Sequence, residues 1–239
     1  MEKFLCLMKL ILKILYKTIK MINVIIIGSG GVAAEVCTYI NDINKISHKK
    51  INIIGFIDDN YENFKRNSLK YKFDKPYLGT SDSYKFNGQN KFIFGFSNIK
   101  SRLSFLNKDI AKQISFITII HPTALIADTA IIGEGNIINP YCVIGPNVVL
   151  GNNNILTSYS FISHDCNVGN NNFFSTSGLS GNVTVGDNNF LSIRVTVLPN
   201  VTIGSNNLIQ AGMTIDKNVS DDETVFYRYK EKISIINKV

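Results

Sequence analysis

Residues able to carry chemistry are scarce in this chain, and the scarcity narrows what it can be. Its 239 residues include only four cysteines and three histidines. Cys6, Cys37, Cys142 and Cys166 show neither metal-ligand spacing nor a disulfide framework. A thiolate metal site and a stapled secreted scaffold are therefore excluded, and a reducing, cytoplasmic setting is expected. The formal charge is +7, but residues 1–20 hold five lysines against one glutamate, and the other 219 residues carry only +3. That body lacks a basic patch interleaved with aromatics, which excludes nucleic acid as a partner. Residues 1–20 also lack an unbroken apolar run, because Lys9, Lys13, Lys17 and Lys20 interrupt it, so no spanning helix is expected. With no small-residue cleavage site there, a signal peptide is not expected either. Those four lysines share one helical face. A weak amphipathic contact with an anionic membrane surface, a helix packed on the protein, and a plain extension ahead of Met21 all satisfy the pattern.

What the chain has in abundance is repetition. An aliphatic residue, a glycine and, three residues later, an asparagine recur as Ile132-Gly133-Asn136, Leu150-Gly151-Asn154, Val168-Gly169-Asn172, Val185-Gly186-Asn189 and Ile203-Gly204-Asn207. The glycines are 18, 18, 17 and 18 residues apart, so one small unit stacks on copies of itself. Gly135, Asn153, Asn171, Asn188 and Asn206 precede the last asparagine of each set, and Gly and Asn best tolerate positive φ. Each unit is expected to make the same tight turn.

Inside each unit runs a period of six. Large apolar residues stand at every sixth position from Ile126 to Phe174 and, after one short step, from Leu179 to Ile215. Four positions after each stands a residue that is often small or β-branched, such as Cys142, Val148, Ser160, Cys166, Gly178 and Val183. Three sixes per turn give a coil with three flat faces and a narrow triangular interior. A helix would need a period near 3.6. The spacing predicts a parallel β-helix of about five coils over residues 124–217.

The first half reads differently. Ile22–Ile27 is an apolar run ending in Gly28-Ser29-Gly30-Gly31, followed by the helical segment from Val32. This is a strand, a glycine turn and a helix whose N-terminus can face a phosphate. A second strand, Ile51–Ile57, ends in Asp58-Asp59, carboxylates suited to ribose hydroxyls or base N–H groups. Leu78-Gly79 opens a further loop, and Phe92–Phe96 reads as another buried strand. His121-Pro122 marks the junction with the coils, His121 as a structural hinge.

Of the three histidines, His48 lies in a lysine-rich polar loop. His164 stands two positions after the inward Ile162 and so projects outward, with Asp165 beside it and Cys166 turning inward again. An outward imidazole next to a carboxylate can take a proton near neutral pH. The short step between Phe174 and Leu179 must displace one face, and Gly178-Leu179-Ser180-Gly181 leaves bare N–H groups near it. Gly181 is the candidate donor to an oxyanion.

These hexapeptide repeats resemble the left-handed β-helix acyltransferases. The first half narrows the resemblance to the sialic-acid O-acetyltransferase and nucleotide-sugar N-acetyltransferase family, in which an α/β domain precedes the coils. The resemblance covers residues 22–217, and the left-handed coil is implied by it alone. It implies acetyl-CoA as co-substrate with no metal, a homotrimer with its sites between neighbouring coils, and a role in surface-glycan sugar biosynthesis. Ser163-His164-Asp165-Cys166 corresponds to the family's catalytic segment. Gly31, Val32 and Ala33, with Asp58, Asp59 and Gly79, fall at its nucleotide-sugar contacts, and Phe173, Ile193 and Ala211 at or nearest its coenzyme A contacts. Val32 and Phe173 stand where the family carries histidine. Phe96-Ser97-Asn98 replaces its Gly-Asp-Asn, and Phe226-Tyr227-Arg228-Tyr229-Lys230 replaces its usual Gly-x-Pro-Ala ending.

The expected organisation is an extension (1–20), a small Rossmann-like domain (21–120), a left-handed parallel β-helix (121–217) and a tail (218–239). The expected reaction is acetylation of an amine on a nucleotide-linked amino sugar, with His164 as base and Asp165 supporting it. The alternatives are O-acetylation of a sugar hydroxyl, a nicotinamide-dependent enzyme built on the glycine turn and Asp58, and a non-catalytic β-helix scaffold.

Overall fold

Apolar β-rich runs joined by amphipathic helices fold as the first domain. In the computed structural model, which describes residues 21–86 and 88–227, strands β1 (Met21–Ile27), β2 (Lys50–Ile57), β3 (Tyr77–Gly79), β4 (Lys91–Phe94) and β5 (Ser115–Phe116) form one parallel sheet in the order β3-β2-β1-β4-β5. The expectations for residues 1–20 and for Arg228-Tyr229-Lys230 lie outside the described residues. Helix α1 (Gly31–Ile46) buries Ala33, Val36 and Ile40 against Val24 and Ile26 on one face of the sheet. Helix α3 (Ile99–Leu106) places Phe105 against Ile25, Ile27 and Phe94 on the other. Asn60 caps α2 (Tyr61–Tyr71), accepting from the Asn63 N–H at 3.0 Å, and Asn98 caps α3, accepting from the Ser101 N–H at 2.8 Å. Gly95 is required by close packing, since a Cβ there would stand 2.7 Å from that of Ala33. The strand order reverses between β1 and β4, the point at which open α/β sheets form a crevice.

From Ile119 onward the chain winds into a three-sided parallel coil. Face one is a seven-strand ladder that begins at Ile119–Ile120, face two has six strands starting at Leu125–Ile126, and face three has five starting at Ile131–Ile132. Each inward apolar residue from Ile138 to Ile215 is buried in one continuous core. Face one ends with Thr224–Val225, paired with Leu208–Ile209. The coil therefore runs past 217, and the first part of the expected tail completes its last turn.

Every coil turns three corners, and residues there adopt left-handed backbone. Between faces one and two these are Tyr141, Tyr159, Thr176, Arg194 and Gly212; between two and three, Asn147, Asp165, Asn182 and Asn200; between three and one, Gly135, Asn153, Asn171, Asn188, Asn206 and Asp222. The expected turn is thus one of three. The asparagine after the third corner does something periodicity did not reveal. Asn136, Asn154, Asn172 and Asn189 are buried, and each Nδ2 donates to a glycine carbonyl of the next coil at 2.8–2.9 Å. Each Oδ1 accepts the backbone N–H of the next asparagine at 2.7–2.9 Å. These amides satisfy buried backbone groups at the corner where the strands stop pairing.

The short step keeps the ladders in register: Phe161 pairs with Gly178 and Ile162 with Leu179. Gly178, expected as a small inward residue, lies instead on the outer row, with the Phe161 ring over it so closely that a Cβ would stand 2.1 Å from the ring. Ser177 takes the inward place, bonded through its N–H to Ser160 Oγ at 3.3 Å. One deleted residue shifts the pattern by one.

The first domain packs on face one. Ile119, Ile137 and Ile155 share a core with α1, and His121 holds Asp42 of α1 at 3.4 Å and Thr123 Oγ1 at 2.9 Å. His121 thus ties the start of the coil to α1.

Candidate active site

At the corner between faces two and three, the residue preceding the left-handed position is Pro146, His164, Gly181 and Pro199 in successive coils. Proline and glycine suit a turn; histidine brings a proton acceptor. His164 Nδ1 lies 2.8 Å from Asp165 Oδ2, and the two side chains are 64% and 52% exposed. Asp165 occupies a corner position that is asparagine in the three other coils with a left-handed residue there. Asn147 from the preceding coil donates to Asp165 Oδ1 at 3.0 Å. The bond to His164, and then that to Asn147, holds the Asp165 carboxyl below the usual carboxylate range. The carboxylate therefore fixes the ring through Nδ1 and leaves Nε2 free.

The imidazole lies over Gly181. A Cβ on Gly181 would stand 2.7 Å from His164 Cε1 and 2.8 Å from Nε2. The Gly181 carbonyl accepts the Asn200 N–H at 3.2 Å, while its own N–H has no partner among the described residues. Next along face two, at the corner with face one, Ile193 and Ala211 stack one coil apart, the Ile193 carbonyl accepting the Gly212 N–H at 2.9 Å. Ile193 is exposed. The structure thus brings His164, Asp165 and Gly181 together and sets Ile193 and Ala211 along the neighbouring edge of the same face.

Phe173 does not join them. It stands on face one, stacked on Phe190 with ring centroids 4.9 Å apart, and packs into the core shared with the first domain. Face one is the side of the prism opposite the His164 corner, so the assignment of Phe173 to coenzyme A is withdrawn. Cys166 and Cys142 are core residues whose thiols burial pushes up, that of Cys142 to about 11. Among the described residues no cluster of His, Cys, Asp and Glu could hold a metal ion.

At the strand-order reversal of the first domain opens a cavity of about 710 Å³. Its floor is the glycine turn, Gly28 to Gly30, with Asp58 and Asp59 at its edge. Asp58 accepts from Ser29 Oγ at 2.6 Å and from the Asn60 N–H at 3.0 Å; Asp59 accepts from the Ser81 N–H at 2.7 Å and Ser81 Oγ at 3.1 Å. Gly31, Val32, Ala33 and Gly79 do not line it. Ala33 is fully buried and its N–H is spent on the Gly95 carbonyl at 3.0 Å, Val32 packs into the core, and the Gly79 carbonyl holds the Asp58 N–H at 3.1 Å. Sequence reasoning missed Arg66, Lys100 and Lys108, three cations on the cavity wall. They come from three separate segments that only the fold brings together, and no motif announced them.

The comparisons agree with this two-part organisation. Residues 23–108 match the PglD N-terminal domain model, and residues 129–164 match the six-repeat bacterial transferase hexapeptide model. No curated protein matches the chain by sequence. Among solved structures it is similar to PerB from Caulobacter crescentus in complex with CoA and GDP-perosamine, at 21% identity and a TM-score of 0.71, over 84% of this chain and 92% of that one. It is also similar to the acetyltransferase domain of PglB from Neisseria gonorrhoeae, at 22% identity and a TM-score of 0.71, over 84% and 95% of the two chains. WeeI from Acinetobacter baumannii follows at 18% identity and a TM-score of 0.56, over 86% and 96%. A PglD-type N-terminal domain thus stands in front of bacterial transferase hexapeptide coils, and the chain shares that two-part fold with these acetyltransferase structures.

Proposed function

We propose that the protein transfers an acetyl group from acetyl-CoA to the amine of a nucleotide-linked amino sugar. The observation that carries this reading is the outward His164–Asp165 pair lying over the bare Gly181 backbone. The sugar amine attacks the thioester carbonyl carbon while His164 Nε2 takes its proton. Asp165 stabilises the imidazolium through Nδ1. The Gly181 N–H donates to the oxyanion that forms on the carbonyl oxygen. When the tetrahedral intermediate collapses, the carbon–sulfur bond breaks and the imidazolium returns a proton to the leaving thiolate. Ile193 and Ala211 line the edge along which the pantetheine lies. The cavity of the first domain takes the nucleotide: its glycine floor admits phosphates closely, Arg66 and Lys100 match their charge, and Asp58 and Asp59 face ribose or base. The PerB structure, with CoA and GDP-perosamine bound on the same fold, supports the substrate class.

The same reading makes the protein a homotrimer. His164 is exposed and on the far side of the coil from the first domain, and among the described residues nothing shields it. Leu125, Val143 and Phe161 on face two, and Ile131 and Val149 on face three, are exposed and flank its corner. These apolar rows fit a second copy of the chain, whose coil would cover the site.

The test is transfer from acetyl-CoA, read by thiol release, across UDP-, dTDP-, GDP- and CMP-linked amino sugars. His164→Ala or His164→Asn is expected to lower turnover by about 10² or more, the usual worth of a general base, in a folded protein. Wild-type turnover in either variant removes His164 from the reaction. A fully active monomer in light scattering removes the shared site.

A further inference from the structure

Among the described residues the largest fully buried side chain is an arginine. Arg102 lies on α3 and is 0% exposed. Its Nη1 donates to the Asn153 carbonyl at 2.7 Å and its Nη2 to the Asn171 carbonyl at 3.2 Å, with Asn172 O at 3.5 Å. No ion pair to a carboxylate forms there, and Nε has no partner among the described residues. Burial pushes the guanidinium pKa down to about 9, so the group remains charged at neutral pH.

An apolar side chain would cover the same ground without desolvating a charge. What arginine adds is direction. Its planar fork reaches two carbonyls at one corner, a single repeat apart, and a first domain slipped along the coil by less than a whole repeat would leave the charge without acceptors. The placement matters because of what lies on either side. Lys100, Ser101 and Ser104 of α3 form a wall of the nucleotide cavity. The coil between Asn153 and Asn171 carries His164 and Asp165.

We infer that Arg102 is a positioning residue that sets the register of the nucleotide cavity against the His164-bearing coil. The inference rests on the acetyl-transfer reading for its kinetic consequence, though not for its geometric one. Coil-to-coil stacking builds the neighbouring site, so an error in this register places the sugar amine wrongly whichever subunit supplies the histidine.

The experiment compares Arg102→Met and Arg102→Lys with wild type by three readouts. Calorimetry with GDP, UDP and CoA reports binding to each half. Steady-state transfer with the sugar nucleotide that the wild type uses reports kcat and KM. Electron–electron distance measurement between spin labels at Lys70 and Thr202 reports the domain register. In Arg102→Met, binding to each half is expected to stay within about threefold, while kcat falls about 10–100-fold, the effect of an ångström-scale misplacement. The label distances should broaden, and Arg102→Lys should lie between the two. Unchanged kcat with unchanged distances in either folded variant overturns the inference. A loss of binding in proportion to kcat also overturns it, since that is general destabilisation. If Arg102→Met does not fold, Arg102→Lys decides alone. A wild type without transfer activity refutes the acetyl-transfer reading instead, and the label distances still judge Arg102.

Discussion

Gly181→Ala adds one methyl group at the point where His164 rests. The Cβ would stand 2.7 Å from Cε1, 2.8 Å from Nε2 and 3.4 Å from Nδ1. Carbon atoms in comfortable contact are about 3.5–4.0 Å apart, so the ring must retreat by roughly 0.7–1 Å on the Nε2 side. Gly181 has none of the left-handed φ values that exclude alanine. The substitution should therefore leave the coil intact and even stabilise it slightly, by about 0.4–1 kcal/mol through the unfolded chain. Activity should move the other way. A displacement near 1 Å at a reacting group costs on the order of 10²-fold, so kcat is expected to fall about 10–100-fold. The assay pairs initial rates of thiol release with a thermal melt on the same preparation. A variant that melts at or above wild type and turns over within twofold of it refutes the contact between His164 and Gly181 as part of the site.

Asn172→Ala leaves the partly buried Gly186 carbonyl and the buried Asn189 N–H without partners. At about 1–3 kcal/mol for each orphaned group, it should destabilise by about 2–6 kcal/mol, measurable by urea unfolding; a change below 1 kcal/mol would contradict the ladder. Alanine at Asp58 or Asp59 is expected to raise KM for the sugar nucleotide about tenfold or more, because a hydrogen bond to a charged group is lost, with kcat little changed. Collapse of kcat at constant KM would remove these carboxylates from binding.

The coil was legible in the sequence because its physics is periodic. Every inward position from Ile138 to Ile215 carries the same demand, so the demand repeats as a spacing. His164 and Asp165 were legible because they break that spacing's chemistry without breaking its geometry. The rest depends on contacts distant in sequence. Arg66 and Lys100 meet only when α2 and α3 pack on the sheet, and Arg102 in an isolated helix reads as a solvated charge. Phe173 misled because its resemblance to a family contact places it at the cofactor, although the unbroken spacing up to Phe174 already sets it on the face of Ile137 and Ile155. An outer-row aromatic fits a cofactor edge and a domain interface equally well until the position of the first domain is known.

The corner that carries the site explains how function enters a repeat at no cost to the fold. Asn147, Asp165, Asn182 and Asn200 share one left-handed conformation, which Asn and Asp both tolerate. Asn182 donates to Asn200 at 2.7 Å along this corner, and Asn147 donates to Asp165 at 3.0 Å, so an aspartate takes the accepting place of an amide and the row breaks only between Asp165 and Asn182, where a carboxylate has no N–H to donate. What it changes is charge. Asp165→Asn should therefore preserve the melt at neutral pH and lower kcat about tenfold, a part of the general-base contribution. The acid side gives an independent check. The carboxyl of Asp165 is held low by His164 and then Asn147, so whatever stability it contributes is present above the ordinary carboxylate pKa. That contribution is lost as pH falls through the folded value. Asparagine does not titrate, so any stability gap between the two proteins should close as the carboxylate is protonated. Unchanged kcat in Asp165→Asn would show that the imidazole works without its carboxylate, and that the break in the asparagine row is only a tolerated substitution.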